Sequence, residues 1–244
     1  MSRFYYDLHM HSCLSPCGDE DMTPNNIAGM AFNGGLKIVA LTDHNSTKNC
    51  RAFFSACRRY GLTPIPGAEI TTAEDIHIVA LFPGLEAAED FDAALQPYRI
   101  LYRNKPHIFG EQQIMDAEDN VVGTDEFLLS NATTLPLEEA VVLARSFGAA
   151  VYPAHVDREA NGMISILGDV PSDLGFTAVE FRDASNVEEY RTKYSLGGMR
   201  IVLDSDAHVL WDIHEADNYL EWEDIDESSE DIVRARLIDY LNGK

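Results

Sequence analysis

Tyr5-Tyr6-Asp7-Leu8-His9-Met10-His11-Ser12 is the stretch on which the predicted fold of this 244-residue chain depends. It is a short apolar and aromatic run that ends in His-x-His. Residues i and i+2 of an extended segment lie on the same face, so His9 and His11 can point together at one ion. Imidazole nitrogens are suitable ligands for zinc, iron, manganese and similar divalent metals. Two histidines at a strand end are also common without a metal, so this motif alone leaves both interpretations open.

The same pattern recurs, because several later apolar runs also stop at His, Asp or Glu. The run LKIVALT at 36–42, for example, is followed by Asp43-His44. Continuous apolar runs of this kind are typical of buried parallel strands. The carboxyl ends of barrel strands converge on one face, so the side chains there are predicted to form one site. The metal-type candidates at five strand ends are His9, His11, His44, Glu69, His155, Asp206 and His208. This set exceeds what one tetrahedral ion needs, which favours two or three ions bridged by Glu69.

Helix signals separate the predicted strands. Thr23-Pro24 predicts the start of one helix, and Ser46 is expected to cap another that continues to Tyr60. Further helices are predicted over 86–103 and 229–241. Strand and helix alternate about seven times, which predicts the α/β class. The architecture expected from this order is a distorted, closed or nearly closed, seven-stranded (β/α) TIM-like barrel rather than an open sheet.

The segment 105–134 interrupts this alternation. Asp119-Asn120 lies between two short runs and predicts a small hairpin. The segment is therefore expected to be an insertion or a lid. With this segment included, residues 1–244 are predicted to form one domain, since α/β barrels of this length fold as single units.

The charge balance limits the partners that the chain is expected to bind. It has 18 basic and 41 acidic residues and a net charge of −23. Such a surface repels long nucleic acid and anionic membranes, whereas a small anionic substrate can bind where metal ions invert the local sign. The four cysteines do not make a disulfide scaffold at this size, and neither a signal peptide nor a membrane-length apolar run is present. We therefore expect a cytoplasmic protein with free thiols; its oligomeric state is not readable from the sequence.

Five blocks of the sequence resemble, in order, the signature motifs of the PHP (polymerase and histidinol phosphatase) superfamily. They are DLHMHS at 7–12, TDHN at 42–45, GAE at 67–69, AH at 154–155 and SDAH at 205–208. The resemblance implies a distorted seven-stranded barrel that holds two or three divalent metal ions, with Mn, Fe and Zn all possible. It also implies phosphoesterase activity, since stand-alone members hydrolyse histidinol phosphate, nucleotides such as AMP, nucleoside bisphosphates or short oligonucleotides.

The loop after the first block departs from the family pattern. Relatives have Ser-Asp-Gly there, and the Asp binds metal, whereas this chain reads SPCGDEDMT at 15–23. Counting back from Thr-Pro assigns the role to Asp19, with Asp21 as the fallback. Cys13 and Cys17 lie in the same loop, so a thiolate ligand and a small buried thiol are both open interpretations. His77 matches a histidine in many relatives and is predicted either to contact the site or to be a structural group beside it.

The resemblance and the ligand types together suggest a mechanism. The predicted metal ligands are His9, His11, Asp19, His44, Glu69, His77, His155, Asp206 and His208. Hydroxide held between ions on His9, His11, Glu69, His155 and Asp206 would attack phosphorus, and an ion on Asp19, His44 and His208 would hold a phosphate oxygen. A metal-bound water, His208 or His155 would protonate the leaving oxygen. Arg158 and Arg182 are the candidate contacts to the phosphate of a small, nucleotide-like substrate.

Two other functions compete with this hypothesis. Amidohydrolase barrels also begin with His-x-His, but they typically use a carboxylated Lys on a middle strand, where this chain has Glu69 and no suitable Lys. A non-catalytic, metal-stabilised scaffold or regulatory module is the other alternative. Such a module would be expected to have lost several ligands, whereas the set in this chain looks nearly complete.

Overall fold

The computed structural model describes residues 1–244, and the strand that precedes His-x-His is the first strand of its sheet in chain order. The strands are β1 Ser2–Asp7, β2 Ile38–Leu41, β3 Thr63–Thr71, β4 His77–Leu81, β5 Gln113–Met115, β6 Val121–Thr124, β7 Ala150–Pro153, β8 Ala178–Phe181, β9 Arg200–Leu203 and β10 Tyr219–Trp222. The helices are α1 Pro24–Asn33, α2 Cys50–Tyr60, α3 Leu85–Leu95, α4 Pro106–Phe109, α5 Leu137–Ser146, α6 Met163–Leu167, α7 Val187–Lys193 and α8 Glu230–Leu241. None of the helices has the length and apolar character that a membrane span requires.

The predicted α/β class is confirmed, but the seven-stranded, closed or nearly closed barrel is not. Six strands form an open, curled sheet in the order β10-β1-β2-β3-β4-β7, and β8 and β9 form a separate parallel pair. Strand β4 runs antiparallel to both β3 and β7. The reason is the length of the connection, because only residues 72–76 join β3 to β4 and a parallel crossover needs a dozen or more residues.

The helix predictions are confirmed in part. Thr23 caps α1 by accepting a hydrogen bond from the backbone N–H of Asn26. Ser46 does not cap α2, which begins at Cys50; its hydroxyl donates to Asp92 instead. The helix predicted over 86–103 ends at Leu95, because the following residues include a proline, whose ring cannot continue an α-helix. The predicted hairpin is present as β5 and β6.

The two largest parts of the apolar core lie on opposite faces of the sheet. The largest cluster contains 24 buried residues and joins β3, β4 and β7 to α3 and α5. A second cluster of 18 residues fills the concave side, where β1, β2 and β7 pack against α8. The concave cluster ends at Leu8 and Ala154, one residue before His9 and His155. The packed interior therefore supports the polar residues that follow the strand ends. All four cysteines are unpaired, as expected.

Candidate metal centre

The residues that follow β1 and β9 meet at one point. A bridge between Met10 and Ala207 aligns the two segments, and His9, His11 and Asp206 are almost completely buried. The Nε2 atoms of His9 and His11 lie 3.1 Å apart, and Oδ1 of Asp206 lies 3.6 and 3.3 Å from them. These three side chains form a group that can hold one metal ion.

Glu69, at the end of the parallel part of β3, occupies the middle of the cluster. Its carboxylate lies 2.9 Å from Nδ1 of His44 and 2.7 Å from Nδ1 of His77. It lies 3.0 Å from Nε2 of His155 and 3.4 Å from Nε2 of both His9 and His11. Five imidazoles therefore surround one carboxylate. His44, Glu69 and His77 form a second group that can hold an ion, and His11, His44 and His208 form a third.

The buried atoms that lack hydrogen bonds fit a metal centre. Nδ1 of His44 and Oε2 of Glu69 are buried without a hydrogen-bond partner, and they face each other without the alignment that a hydrogen bond needs. Such groups are costly when they are left unsatisfied. Nitrogen and carboxylate donors of this kind are ligands for divalent transition metals, so the side chains present fit the two or three ions expected.

The electrostatics keep both carboxylates ionised. Desolvation raises the pKa of Glu69, but the charges of His77, His9 and His44 more than offset it and hold that pKa well below its usual range. Asp206 behaves alike, since the charge of His9 and a hydrogen bond from His11 outweigh desolvation and lower its pKa. An ionised carboxylate is the form that binds a metal.

The backbone at the site is strained at three non-glycine residues. His155 has φ +25°, Asn45 has φ +48° and Asp206 has φ +51°. Non-glycine residues seldom adopt positive φ values, and such strain is concentrated at functional sites. The strain accompanies the turn of each segment away from its strand end.

A cavity of about 240 Å³ opens onto the cluster. Its walls are Cys17, His44, Glu69, His77, Ser130, Arg158, Asn161, Asp206 and His208. Arg158 pairs with Oδ2 of Asp206 at 2.6 Å, and Arg182 lies 3.9 Å from the same oxygen. Both predicted phosphate contacts are therefore beside the cluster, with about two-fifths of each side chain exposed.

Comparison with known proteins identifies the family. The model of the PHP domain matches residues 7–152, which is more than half of the chain. The chain belongs to the PHP domain family. It is 34% identical to the 5'-3' exoribonuclease of Haemophilus influenzae over 79 residues, which are 31% of this chain and 28% of that protein. The matched stretch therefore spans less than a third of that relative.

Two solved structures share the PHP fold at low identity. The lesion-specific endonuclease PfuEndoQ from Pyrococcus furiosus has a TM-score of 0.64 and 16% identity over 99% of this chain and 56% of its own. A candidate metal-dependent phosphoesterase from Bifidobacterium adolescentis has a TM-score of 0.61 and 18% identity over 96% and 94%. At such identities the likeness shows the fold alone. PfuEndoQ is described as an endonuclease and the Haemophilus influenzae relative as an exoribonuclease, and these descriptions are of those two proteins.

The cluster around Glu69 includes eight of the nine predicted ligands but not Asp19. Asp19 is exposed, and its carboxylate accepts the backbone N–H of Asp21 at 2.9 Å. The fallback, Asp21, is exposed as well. Cys17 lines the cavity instead. Asp19 follows the turn that the backbone N–H of Gly18 closes with the carbonyl of Ser15, and Cys17, inside that turn, is the residue of this loop that lines the cavity.

Glu180 is a site residue that the sequence reasoning missed. It is fully buried, and Nδ1 of His9 donates to its oxygens at 2.9 and 3.0 Å. This hydrogen bond fixes the tautomer of His9 that leaves Nε2 free to bind an ion. The available signal was a lone acidic residue inside the apolar strand AVEF. Ser15 supports His11 similarly, through a 3.1 Å contact to its Nδ1.

The segment 105–134, predicted to be an insertion or a lid, is hydrogen-bonded to residues beside the site. Nδ2 of Asn45 donates to the carbonyls of Leu129 and Asn131 at 2.7 and 3.0 Å. Oδ1 of Asn49 accepts the backbone N–H of Met115 at 2.9 Å. Ser130 reaches the cavity itself. The segment thus forms one wall of the cavity.

Proposed function

We propose that this chain is a metal-dependent phosphoric ester hydrolase. Its substrate would be a small, nucleotide-like phosphate ester: AMP, a nucleoside 3',5'-bisphosphate or the end of a short oligonucleotide. The observation that carries the proposal is the position of Glu69, whose carboxylate lies within 3.4 Å of five imidazoles at the floor of a cavity with two arginines beside it. A binding module without catalysis has no need for this convergence of ligands and anion-binding groups.

The ions would be bound by three overlapping groups of side chains. These groups are His9, His11 and Asp206; His44, Glu69 and His77; and His11, His44 and His208. His155 adds a nitrogen 3.0 Å from Glu69. Activation of water and neutralisation of phosphate charge are the chemistry that Mn, Fe or Zn ions supply when bound. Glu69 would bridge the groups, because both of its oxygens face imidazoles.

The chain's own residues would bind and orient the phosphate. Arg158 would exchange its contact with Asp206 for a phosphate oxygen, since a phosphate accepts charge-assisted hydrogen bonds from a guanidinium. Arg182 would join it from the same side. Desolvation lowers the pKa of His208, but Cys17 and Asp206 outweigh it and raise that pKa. A protonated His208 can therefore donate to the leaving oxygen when it is not a ligand.

The size of the cavity supports a substrate that enters by its phosphate. Pockets that enclose drug-sized ligands measure roughly 300–1,000 Å³. The cavity here is about 240 Å³, so it accepts the phosphoryl group, and the nucleoside would lie against the rim at Ser130 and Asn161. The net charge of −23 disfavours a long polyanion at that rim.

A substrate panel tests the proposal. The chain is stripped with a chelator, reloaded with Mn²⁺, Fe²⁺ or Zn²⁺, and assayed on AMP, a nucleoside bisphosphate, short oligonucleotides, long duplex DNA and simple amides. Metal-dependent phosphate release from the small esters is expected. Turnover of the amides alone would favour the amidohydrolase alternative, and no turnover with metal bound would favour a scaffold. Cleavage of the long duplex alone would overturn the substrate class.

A further inference from the structure

Two loops bring the arginines beside the cavity to one carboxylate oxygen. Arg158 lies in the loop after β7, and Arg182 directly follows β8. Nη1 of Arg158 lies 2.6 Å from Oδ2 of Asp206, and Nη1 of Arg182 lies 3.9 Å from the same atom. Both side chains are partly exposed, so burial alone does not hold them there. Ordering two long side chains at one point costs rotamer freedom, and this cost is smaller when the backbone beneath them is held in place.

The carboxylate of Asp157 joins the two loops. Its Oδ1 accepts the backbone N–H of Arg182 at 3.0 Å, and its Oδ2 accepts the backbone N–H of Asp183 at 3.0 Å. The same Oδ2 accepts a hydrogen bond from Nδ2 of Asn186 at 3.0 Å. One side chain from the loop after β7 therefore receives three donors from the loop after β8.

The loop after β7 has anchors of its own. The carbonyl of Asn161 accepts the backbone N–H of His77 at 3.0 Å, and Nδ2 of Asn161 donates to the carbonyl of Asp75 at 2.9 Å. By contrast, the hydrogen bonds that residues 182–186 make to another part of the chain all end on Asp157. The loop after β8 therefore takes its position from this one carboxylate.

We propose that Asp157 is a positioning residue for phosphate binding, which holds the backbone of Arg182 so that its guanidinium and that of Arg158 reach the same phosphate. The inference rests on the proposed function only in requiring that a phosphate group enters the cavity. A phosphate monoester has about −1.5 to −2 charge at pH 7 and three acceptor oxygens, so each guanidinium can bind an oxygen of its own. Asp157 acts through Arg182 and does not contact the phosphate, because both of its oxygens accept N–H donors from the loop.

The sign of the effect separates positioning from simple electrostatics. Asp157 is an acidic residue next to an anion-binding arginine, so removing its charge should by itself strengthen phosphate binding. Removing a positioning residue should weaken phosphate binding instead, because Arg182 is no longer held in place. Glu159→Ala is the matched control, since Glu159 is an exposed acidic residue of the same loop.

A double-mutant cycle with inorganic phosphate as the probe tests the proposal. The dissociation constant of phosphate for the Zn²⁺-loaded chain is measured by isothermal titration in the wild type, Asp157→Ala, Arg182→Ala and the double variant. Each single variant should weaken binding about tenfold, the worth of one charge-assisted contact. The double variant should bind no more weakly than Arg182→Ala, because both substitutions remove the same contact. Additive losses, or unchanged or tighter binding in Asp157→Ala, would overturn the proposal.

Stability and turnover are measured beside the cycle. A role of Asp157 in stability alone would lower the Tm of Asp157→Ala and leave phosphate binding unchanged, as Glu159→Ala should, and would overturn the proposal. If Asp157→Ala does not fold, Asp157→Asn replaces it in the cycle; it keeps the shape of the side chain but has one acceptor oxygen, so the same coupling is expected with a smaller loss.

The two hypotheses fail separately. A coupled cycle for phosphate binding without turnover of any ester removes the proposed function alone. Turnover of a phosphate ester with additive losses in the cycle removes the positioning role of Asp157 alone. A Zn²⁺-loaded chain that neither binds phosphate nor turns over an ester removes both.

Discussion

Replacing Glu180 by glutamine is expected to weaken metal binding by about 10- to 100-fold, the usual cost of losing a partner behind a ligand. This range corresponds to about 1.4–2.8 kcal/mol of binding free energy. Glutamine keeps the shape of the side chain, and its amide oxygen can still accept the Nδ1–H of His9. What disappears is the negative charge that makes Nε2 of His9 a stronger donor to the ion.

The pH dependence separates this effect from a loss of structure. Desolvation lowers the pKa of His9, but the charges of Glu180, Glu69 and Asp206 more than offset it and hold that pKa well above its usual value. Protons therefore compete with the metal for His9 in the wild type at neutral pH. Glu180→Gln removes one of these charges, lowers the pKa of His9 and should make the metal affinity less dependent on pH.

Isothermal titration with Zn²⁺ between pH 6 and pH 8 is the assay, with Glu159→Gln as an exposed, matched control. Glu180→Gln relieves the repulsion that, after desolvation, raises the pKa of buried Asp204, but it also removes the buried ion pair with protonated His9. The Tm of the metal-free variant is therefore measured beside the affinity, so that a loss of stability is distinguished from a loss of metal binding. Affinities within twofold of the wild type across this pH range would refute the role given to Glu180.

Four further results are expected. His9→Ala should abolish both metal occupancy, measured by elemental analysis, and hydrolysis; retained turnover would remove His9 from the mechanism. Arg158→Ala should raise KM for a phosphate ester at least about tenfold, the worth of one charge-assisted contact, whereas exposed Arg103→Ala should not change it. Asn45→Ala should lower the free energy of unfolding by about 1–3 kcal/mol in urea titrations, because it leaves two carbonyls of the insertion unpaired; an unchanged midpoint would contradict the fixed wall. The pKa of Glu69 is lower in the folded chain than its value of about 4.3 in the unfolded chain, so ionised Glu69 stabilises the fold above about pH 4.3 and less as the pH falls. The Tm of the metal-free chain should therefore decrease as the pH is lowered below about 4.3, and it should decrease less in Glu69→Gln.

The strand-end residues could be predicted because simple geometry places them. The i, i+2 spacing predicts that His9 and His11 point to the same side. The convergence of strand ends predicts that His155 and Asp206 lie near them, and the structure places all four side chains in one cluster. The exposed position of Asp19 was not predictable in this way, since it depends on how the irregular loop folds back at Gly18 onto the carbonyl of Ser12, which residue spacing does not define.

The sheet order was harder to predict than the site. Apolar runs such as Ile76–Phe82 read as strands, but the direction of β4 depends on the five-residue link before it rather than on the run itself. Strand β10 lies in an acidic segment that reads as a solvated surface, and it pairs with β1 through backbone hydrogen bonds that place few demands on side chains. The role of Glu180 could not be predicted from its neighbours in the sequence, because that role depends on a hydrogen bond with His9, 171 positions earlier.

Anomalous X-ray scattering from crystals of the chain loaded with Zn²⁺ or Mn²⁺ tests the shared metal centre most directly. Two or three anomalous peaks are expected within coordination distance of Glu69, each also bound by imidazoles of the surrounding histidines. Peaks confined to surface carboxylates, with the carboxylate of Glu69 bonded only to protein atoms, would contradict it.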